Sequence, residues 1–281
     1  MSRAVITKLL SSRRPLVFGM IHVPALPGTP NNNLSIDKIR QKVREEASVY
    51  IDCNVDGIII ENMHDLPYCK PPAAPEVVAA MTLACDDVSE AKQKRKSNTY
   101  LGVQILAAAN REALGVAHST GLDFIRAEGF IYGHVADEGW TDACAGSLVR
   151  YRKQIGAENV AIITDIKKKH SAHSVTSDVP ITDMAKDAEF NLADGVIVTG
   201  SATGQAANLD ELHGVIASTK MPVLVGSGVD NSSIGLYRNA HGLVIGSSFK
   251  KGGHWKEDLD PLAIRKTMQI VSQLSRKDTS R

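Results

Sequence analysis

Eight times along the 281 residues a short apolar run gives way to an amphipathic stretch. That alternation admits few folds. Apolar runs of a handful of residues suit strands buried on both faces of a parallel sheet, and the amphipathic stretches between them suit crossover helices. The strand candidates are residues 16–21, 57–61, 101–106, 124–127, 160–164, 195–199, 223–225 and 243–245. Helical patterns fill 35–53, 75–94, 111–119, 141–155, 181–192, 209–217, 232–238 and 261–274. Strand and helix in strict succession predict one α/β domain over 1–281, a single (β/α)8 TIM barrel, with an extra N-terminal helix over 5–10. A doubly wound open sheet is the alternative, but it rarely needs eight repeats, and no G-x-G-x-x-G follows the first strand. No linker or composition shift marks a second domain.

With 43% hydrophobic and 22% charged residues and a net charge of +1, the chain has neither the basic footprint of a nucleic-acid binder nor the bias of an acidic disordered chain. Binding must therefore come from local sites. No apolar run approaches the roughly 18 residues of a membrane span, so the protein is expected to be soluble. Cys53, Cys69, Cys85 and Cys144 form no C-x-x-C pair and read as reduced packing residues of an intracellular protein. Arg3, Lys8, Arg13 and Arg14 precede the first acid, Asp37. They suit the C-terminal end of a first helix, where the dipole favours cations, or a short mitochondrial presequence. The expected location is cytoplasmic, with mitochondrial as the alternative.

A barrel places its chemistry on the loops leaving the C-terminal ends of the strands. After the seventh and eighth strands, "VLVGSGVDN" and "LVIGSSFKKGG" supply Gly226, Ser227, Gly228, Gly246, Ser247 and Ser248. Glycines that let a backbone approach closely, with N–H groups and hydroxyls as donors, make a phosphate site. Gly200 and Ser201 in "VTGSATG" extend it, Lys250 and Lys251 add charge, and Asn231 is expected to cap the helix after Gly228. The plainer reading is that these are only tight connections.

Around the other half of the mouth stand His22, Glu61, Asn62, Asp65, Asn110, Arg126, Glu128, Asp165, Lys167 and His170. A phosphate grip facing acids and bases is how a barrel enzyme holds a phosphorylated substrate while working on the rest of it. The competing reading is that several are rim ion pairs, Arg126 with Glu128 or Glu61 above all. No cofactor is required. A divalent metal is an open alternative, with His22, Glu61, His64, Asp65 and Asp165 as ligand types, though no zinc spacing is present. In "DIKKKHS" Lys167 lies just past the fifth strand, where a buried lysine can attack a carbonyl; three lysines in a row suit electrostatic attraction of an anion better.

Taken together, these segments resemble the BtpA family of barrel proteins. The likeness rests on "VFGMIHVPALPGTP" at 17–30, "DGIIIENMHDLPY" at 56–68, "DIKKKHSAH" at 165–173, "ADGVIVTGSATG" at 193–204 and "VLVGSGVDNSSI" at 223–234. It covers nearly the whole chain in order. The resemblance implies a one-domain barrel and no particular reaction: the family is named for a role in photosystem I accumulation, and some members are likened to phosphoribosyl isomerases. Matching positions are His22, Glu61, Asn62, Asp65, Asp165, Lys167, His170, Ser227 and Gly228, whereas Lys168 and Lys169 are read as local variations without a catalytic role. The expected function is an isomerase, lyase or hydrolase acting on a phosphorylated sugar or nucleoside. Asp165 or Glu61 is the base, and His170 or Lys167 the acid or electrostatic stabiliser. The alternative is a non-catalytic barrel that binds a phosphate ligand or a protein partner as an assembly factor. No nucleic acid is expected, and a homo-oligomer is a fold-level expectation only.

Overall fold

A computed structural model describes residues 3–200 and 207–276. Eleven strands succeed one another along them: β1 (Leu16–His22), β2 (Gly57–Glu61), β3 (Tyr100–Gln104), β4 (Phe124–Ala127), β5 (His134–Ala136), β6 (Gly139–Thr141), β7 (Ala161–Ile166), β8 (Ser171–Ala172), β9 (Gly195–Val198), β10 (Val223–Val225) and β11 (Gly242–Ile245). Eight of them, β1 to β4, β7 and β9 to β11, pair in parallel until β11 meets β1 and closes a barrel. The helices are α1 (Ala4–Ser11), α2 (Ile36–Asp52), α3 (Pro75–Lys94), α4 (Asn110–Ser119), α5 (Ala145–Gln154), α6 (Ile181–Phe190), α7 (Leu209–Ser218) and α8 (Pro261–Ser272). Local chemistry starts several of them. Asn208 accepts from the Asp210 and Glu211 N–H groups to cap α7, and Asp260 does the same for α8 just ahead of Pro261.

Strand side chains alternate, so a run apolar throughout feeds two cores. Phe18, Met20, Ile59, Phe124, Ile163, Ile197, Leu224 and Val244 form one cluster inside the barrel. Val17, Ile21, Ile58, Ile60, Val103, Ile162, Val196 and Val225 join a second cluster with residues of the helices, such as Val43, Ala84 and Leu212. Phe18 and Phe124 cross edge to face inside the barrel, 5.5 Å between centroids. That needs Gly102, where a Cβ would lie 2.4 Å from the Phe124 ring. Two residues further along the inward face come His22, Glu61, Gln104, Arg126 and Asp165, which give the barrel a polar top.

The other end is closed by α1, whose Val5 and Leu9 belong to the interior cluster. Its flanks are tied down: Arg3 pairs with Asp194, and Arg14 grips Asp56 with both arms at 2.7 and 2.8 Å. Arg3 and Arg14 thus serve the fold. Among the described residues no helix is long and apolar enough to cross a membrane, and the four cysteines are free, with Cys53 and Cys85 buried and Cys69 exposed.

Three expectations need correction. The helix read at 141–155 begins only at Ala145, because β5 and β6 form a hairpin before it that pairs with β8. The helix read at 232–238 is a single tight turn, Ile234–Tyr237; seven residues containing Gly235 are too few to nucleate more. Asn231 does not cap it: Asp230 takes the Ser232 and Ser233 N–H groups, and Asn231 accepts from Thr267 on α8 at 2.7 Å.

Candidate active site

The polar top opens into a cavity of about 440 Å³ at the C-terminal ends of the strands. Its first wall is built by the loops after β10 and β11: Gly226, Ser227, Gly228, Gly246, Ser247 and Ser248. Close approach is what the glycines provide. A Cβ on Gly226 would sit 2.5 Å from Ile197 and 3.5 Å from the Arg126 guanidinium, and Gly228 turns the chain at φ +68°. The Ser227 hydroxyl accepts the Gly200 N–H at 2.7 Å, and the Ser248 hydroxyl donates to the Val229 carbonyl at 2.8 Å. Among the described residues, the backbone N–H groups of Gly228, Val229, Ser247 and Ser248 have no acceptor. Lining the cavity, they leave donors to an incoming anion. Gly200 stands beside Ser227; Ser201 lies outside the described residues.

The facing wall carries charge. The carboxyl of Glu61, at the end of β2, accepts no hydrogen bond from any described residue, and its nearest cationic candidate is His22 Nε2 at 3.8 Å. Burial raises its carboxyl above the usual range, against the pull of Arg126. Burial likewise pushes His22 down to about 3, with Lys250 adding to the effect, so its ring is neutral. His22 Nδ1 lies 3.2 Å from the Trp255 carbonyl, which assigns the proton to Nδ1 and leaves Nε2 as an acceptor toward Glu61. Arg126 grips Asp165 through two bonds of 3.1 and 2.9 Å. Despite its burial, Asp165 and Glu61 hold the guanidinium above its ordinary pKa. Lys168 donates to Glu128 at 3.2 Å. Glu128 also accepts the Ala108 N–H at 3.0 Å, and its backbone is clamped by Asn110.

Lys169 reaches the same cavity, and its ammonium makes no hydrogen bond or ion pair to a described residue. Burial, then the neighbouring Arg126, lowers its pKa. Gln104 Oε1 is also buried without a partner at this wall. The cavity is roofed by Trp255 from the loop after β11 and by Asp137 and Glu138 at the hairpin tip.

Of the residues singled out from sequence, His22, Glu61, Arg126, Glu128, His170 and the six Gly/Ser positions of the last two loops share this cavity. Others stand outside its lining. Asp165 is 6% exposed and occupied by Arg126. Lys167, at φ +48°, borders a small side cavity with Ile166 and Met184. Asp65 accepts the Leu26 N–H at 2.7 Å, and Asn62 donates to Asp65 and accepts the Leu106 N–H at 2.7 Å, so this pair braces the loops after β1, β2 and β3. No three His, Cys, Asp or Glu side chains among the described residues converge as a metal site. Lys168 and Lys169, which carried no catalytic role in the sequence reading, hold the positions facing the cavity. Strand parity was the available signal: counting two residues at a time from Ile163 leads inward to Asp165, but the turn that follows redirects the tract.

The sequence profile of the BtpA family matches residues 13–273. An uncharacterized mitochondrial protein of Caenorhabditis elegans is 61% identical, over 98% of this chain and 99% of its own length. The photosystem I biogenesis protein BtpA of Synechocystis is 31% identical, over 92% of this chain and 88% of its own. Among solved structures, a Rubisco-like protein from Rhodopseudomonas palustris superposes with a TM-score of 0.57 at 12% identity, covering 98% of this chain and 68% of that one. That last likeness concerns the barrel alone.

Proposed function

The chain belongs to the BtpA family, and from that premise we propose that its barrel is an enzyme acting on a small phosphorylated molecule by general acid–base chemistry. One observation carries the reading: among the described residues, backbone donors and ionisable groups that make no hydrogen bond face each other across one cavity. Gly228, Val229, Ser247 and Ser248 offer N–H groups on one side, while the Glu61 carboxyl and the Lys169 ammonium face them with no hydrogen bond to a described residue. The first set would hold a phosphate. Glu61, its pKa raised by burial, exchanges the proton, with neutral His22 beside it as a hydrogen-bond acceptor. Arg126, fixed by Asp165, supplies a permanent positive charge at the floor.

A thermal-shift screen of sugar phosphates and nucleotides, each against its dephosphorylated form, tests this. A ligand at a hundred times its Kd stabilises by about 2.7 kcal/mol. The expected result is stabilisation by phosphorylated members only. Glu61→Gln should keep that stabilisation and lower turnover by about 10²–10⁴. Equal shifts from both members of every pair would sink the phosphate site.

The printed name of the Synechocystis relative supports a second reading, a non-catalytic barrel that binds a phosphate ligand or a partner during assembly of a complex. Under it, binding survives Glu61→Gln and no compound is turned over. The name of the C. elegans relative favours the mitochondrial over the cytoplasmic location, which subcellular fractionation decides.

A further inference from the structure

Three consecutive lysines meet three different fates. Lys167 borders the side cavity, and Lys168 is committed to Glu128 at 3.2 Å. Lys169 alone of the three lines the central cavity with an ammonium that makes no hydrogen bond or ion pair to a described residue. Around it stand Arg126, a fixed cation, and Glu61, whose carboxyl accepts no hydrogen bond from a described residue. A lysine placed only to attract an anion is best served by surroundings that keep it protonated. Burial beside a guanidinium does the opposite, and both effects lower the Lys169 pKa.

We infer that Lys169 is a covalent nucleophile whose Nζ condenses with an aldehyde or ketone group of the phosphorylated ligand. The inference rests on the phosphate reading only for the other half of that ligand. The neutral amine's lone pair forms the C–N bond as the carbonyl π pair moves to oxygen, and one nitrogen proton passes to that oxygen, giving a carbinolamine. The Glu61 carboxyl then protonates the hydroxyl, which leaves as water, and the nitrogen lone pair forms the C=N⁺ bond. Glu61 is left as the carboxylate that balances the iminium, its burial having favoured the protonated form beforehand. No oxidant or reductant enters. Lys168 cannot take this part, because Glu128 holds its ammonium protonated.

Reductive trapping of the full chain tests the inference, with dihydroxyacetone phosphate and dihydroxyacetone as probes and cyanoborohydride present. An alkylated lysine resists trypsin, so reaction at Lys169 replaces the peptide 170–186 by one that begins at Lys169. At neutral pH, labelling of Lys169 should exceed that of Lys167 by about tenfold or more, since burial and the neighbouring Arg126 favour the neutral amine at Lys169. Lys169→Arg should abolish the label with an unchanged melting temperature; Lys167→Arg should retain it. Labelling no faster than at Lys167, or labelling that persists in Lys169→Arg, overturns the inference. If inorganic phosphate stabilises the protein while Lys169 stays unlabelled, the phosphate reading stands and this one falls. If dihydroxyacetone labels Lys169 as fast as its phosphate and inorganic phosphate does not compete, Lys169 is the nucleophile and the phosphate reading falls instead.

Discussion

Arg126 and Asp165 share a buried fork, with side chains 4% and 2% exposed. Two charges taken out of water are tolerable only while they face each other. Removing one leaves the other stranded, so Arg126→Met should lower the unfolding free energy by about 3–5 kcal/mol, read from urea denaturation. Arg126→Met combined with Asp165→Leu should recover most of that loss, because an apolar pair of similar volume replaces a buried ion pair at little cost. If the double variant is as unstable as the single one, Asp165 has another partner or duty, and the acid–base role first read for it returns. The sequence marks both residues as polar positions at strand ends, but not that they cancel. Which charges neutralise each other and which stay available, as Glu61 and Lys169 do, depends on distances across the barrel that linear spacing does not encode.

Among elements, α1 is the one that a barrel does not require. It is nonetheless continuous with the interior: Leu9 is fully buried, and its Cδ2 lies 3.2 Å from the Cβ position of Gly242. Leu9→Ala should therefore cost about 2–5 kcal/mol, the range for a core leucine. A loss below about 0.5 kcal/mol in denaturant unfolding, typical of surface changes, would make α1 an appendage. The eight barrel strands are legible in sequence because parallel strands between helical layers must be apolar on both faces, as Ile58-Ile59-Ile60 and Ala161-Ile162-Ile163 are. The β5–β6 hairpin is not legible. Its strands are three residues each, too short for alternation to show, and its pairing with β8 joins segments some 35 residues apart. The hairpin tip and Trp255 complete the roof of the cavity, so the half of the site that hangs over the mouth escaped the reading, while the half on the strands did not.

For the molecule as a whole, burying so many polar groups makes stability depend on pH. Burial, with nearby cations adding to it, takes His22 down to about 3 and His64, His134 and His241 to about 4. An unfolded histidine titrates near 6.5. Each folded pKa lies below the unfolded one, so the unfolded chain takes up protons first as pH falls; the stabilisation is complete above about 6.5 and is lost progressively toward 4. His241 isolates the effect because it sits at the base of the barrel, away from the cavity, where its Nδ1 accepts the Val223 N–H at 3.1 Å and its backbone carbonyl takes the Leu16 N–H. A shift from 6.5 to about 4 makes its share of the loss about 2 kcal/mol between pH 7 and pH 5. His241→Gln keeps an acceptor for Val223 and removes the titration. Urea unfolding at pH 7, 6 and 5 should give a shallower decline for the variant, by about that amount, than for the parent chain. Parallel declines would mean that His241 is already protonated in the folded barrel, and that the bond from Val223 does not hold its ring neutral.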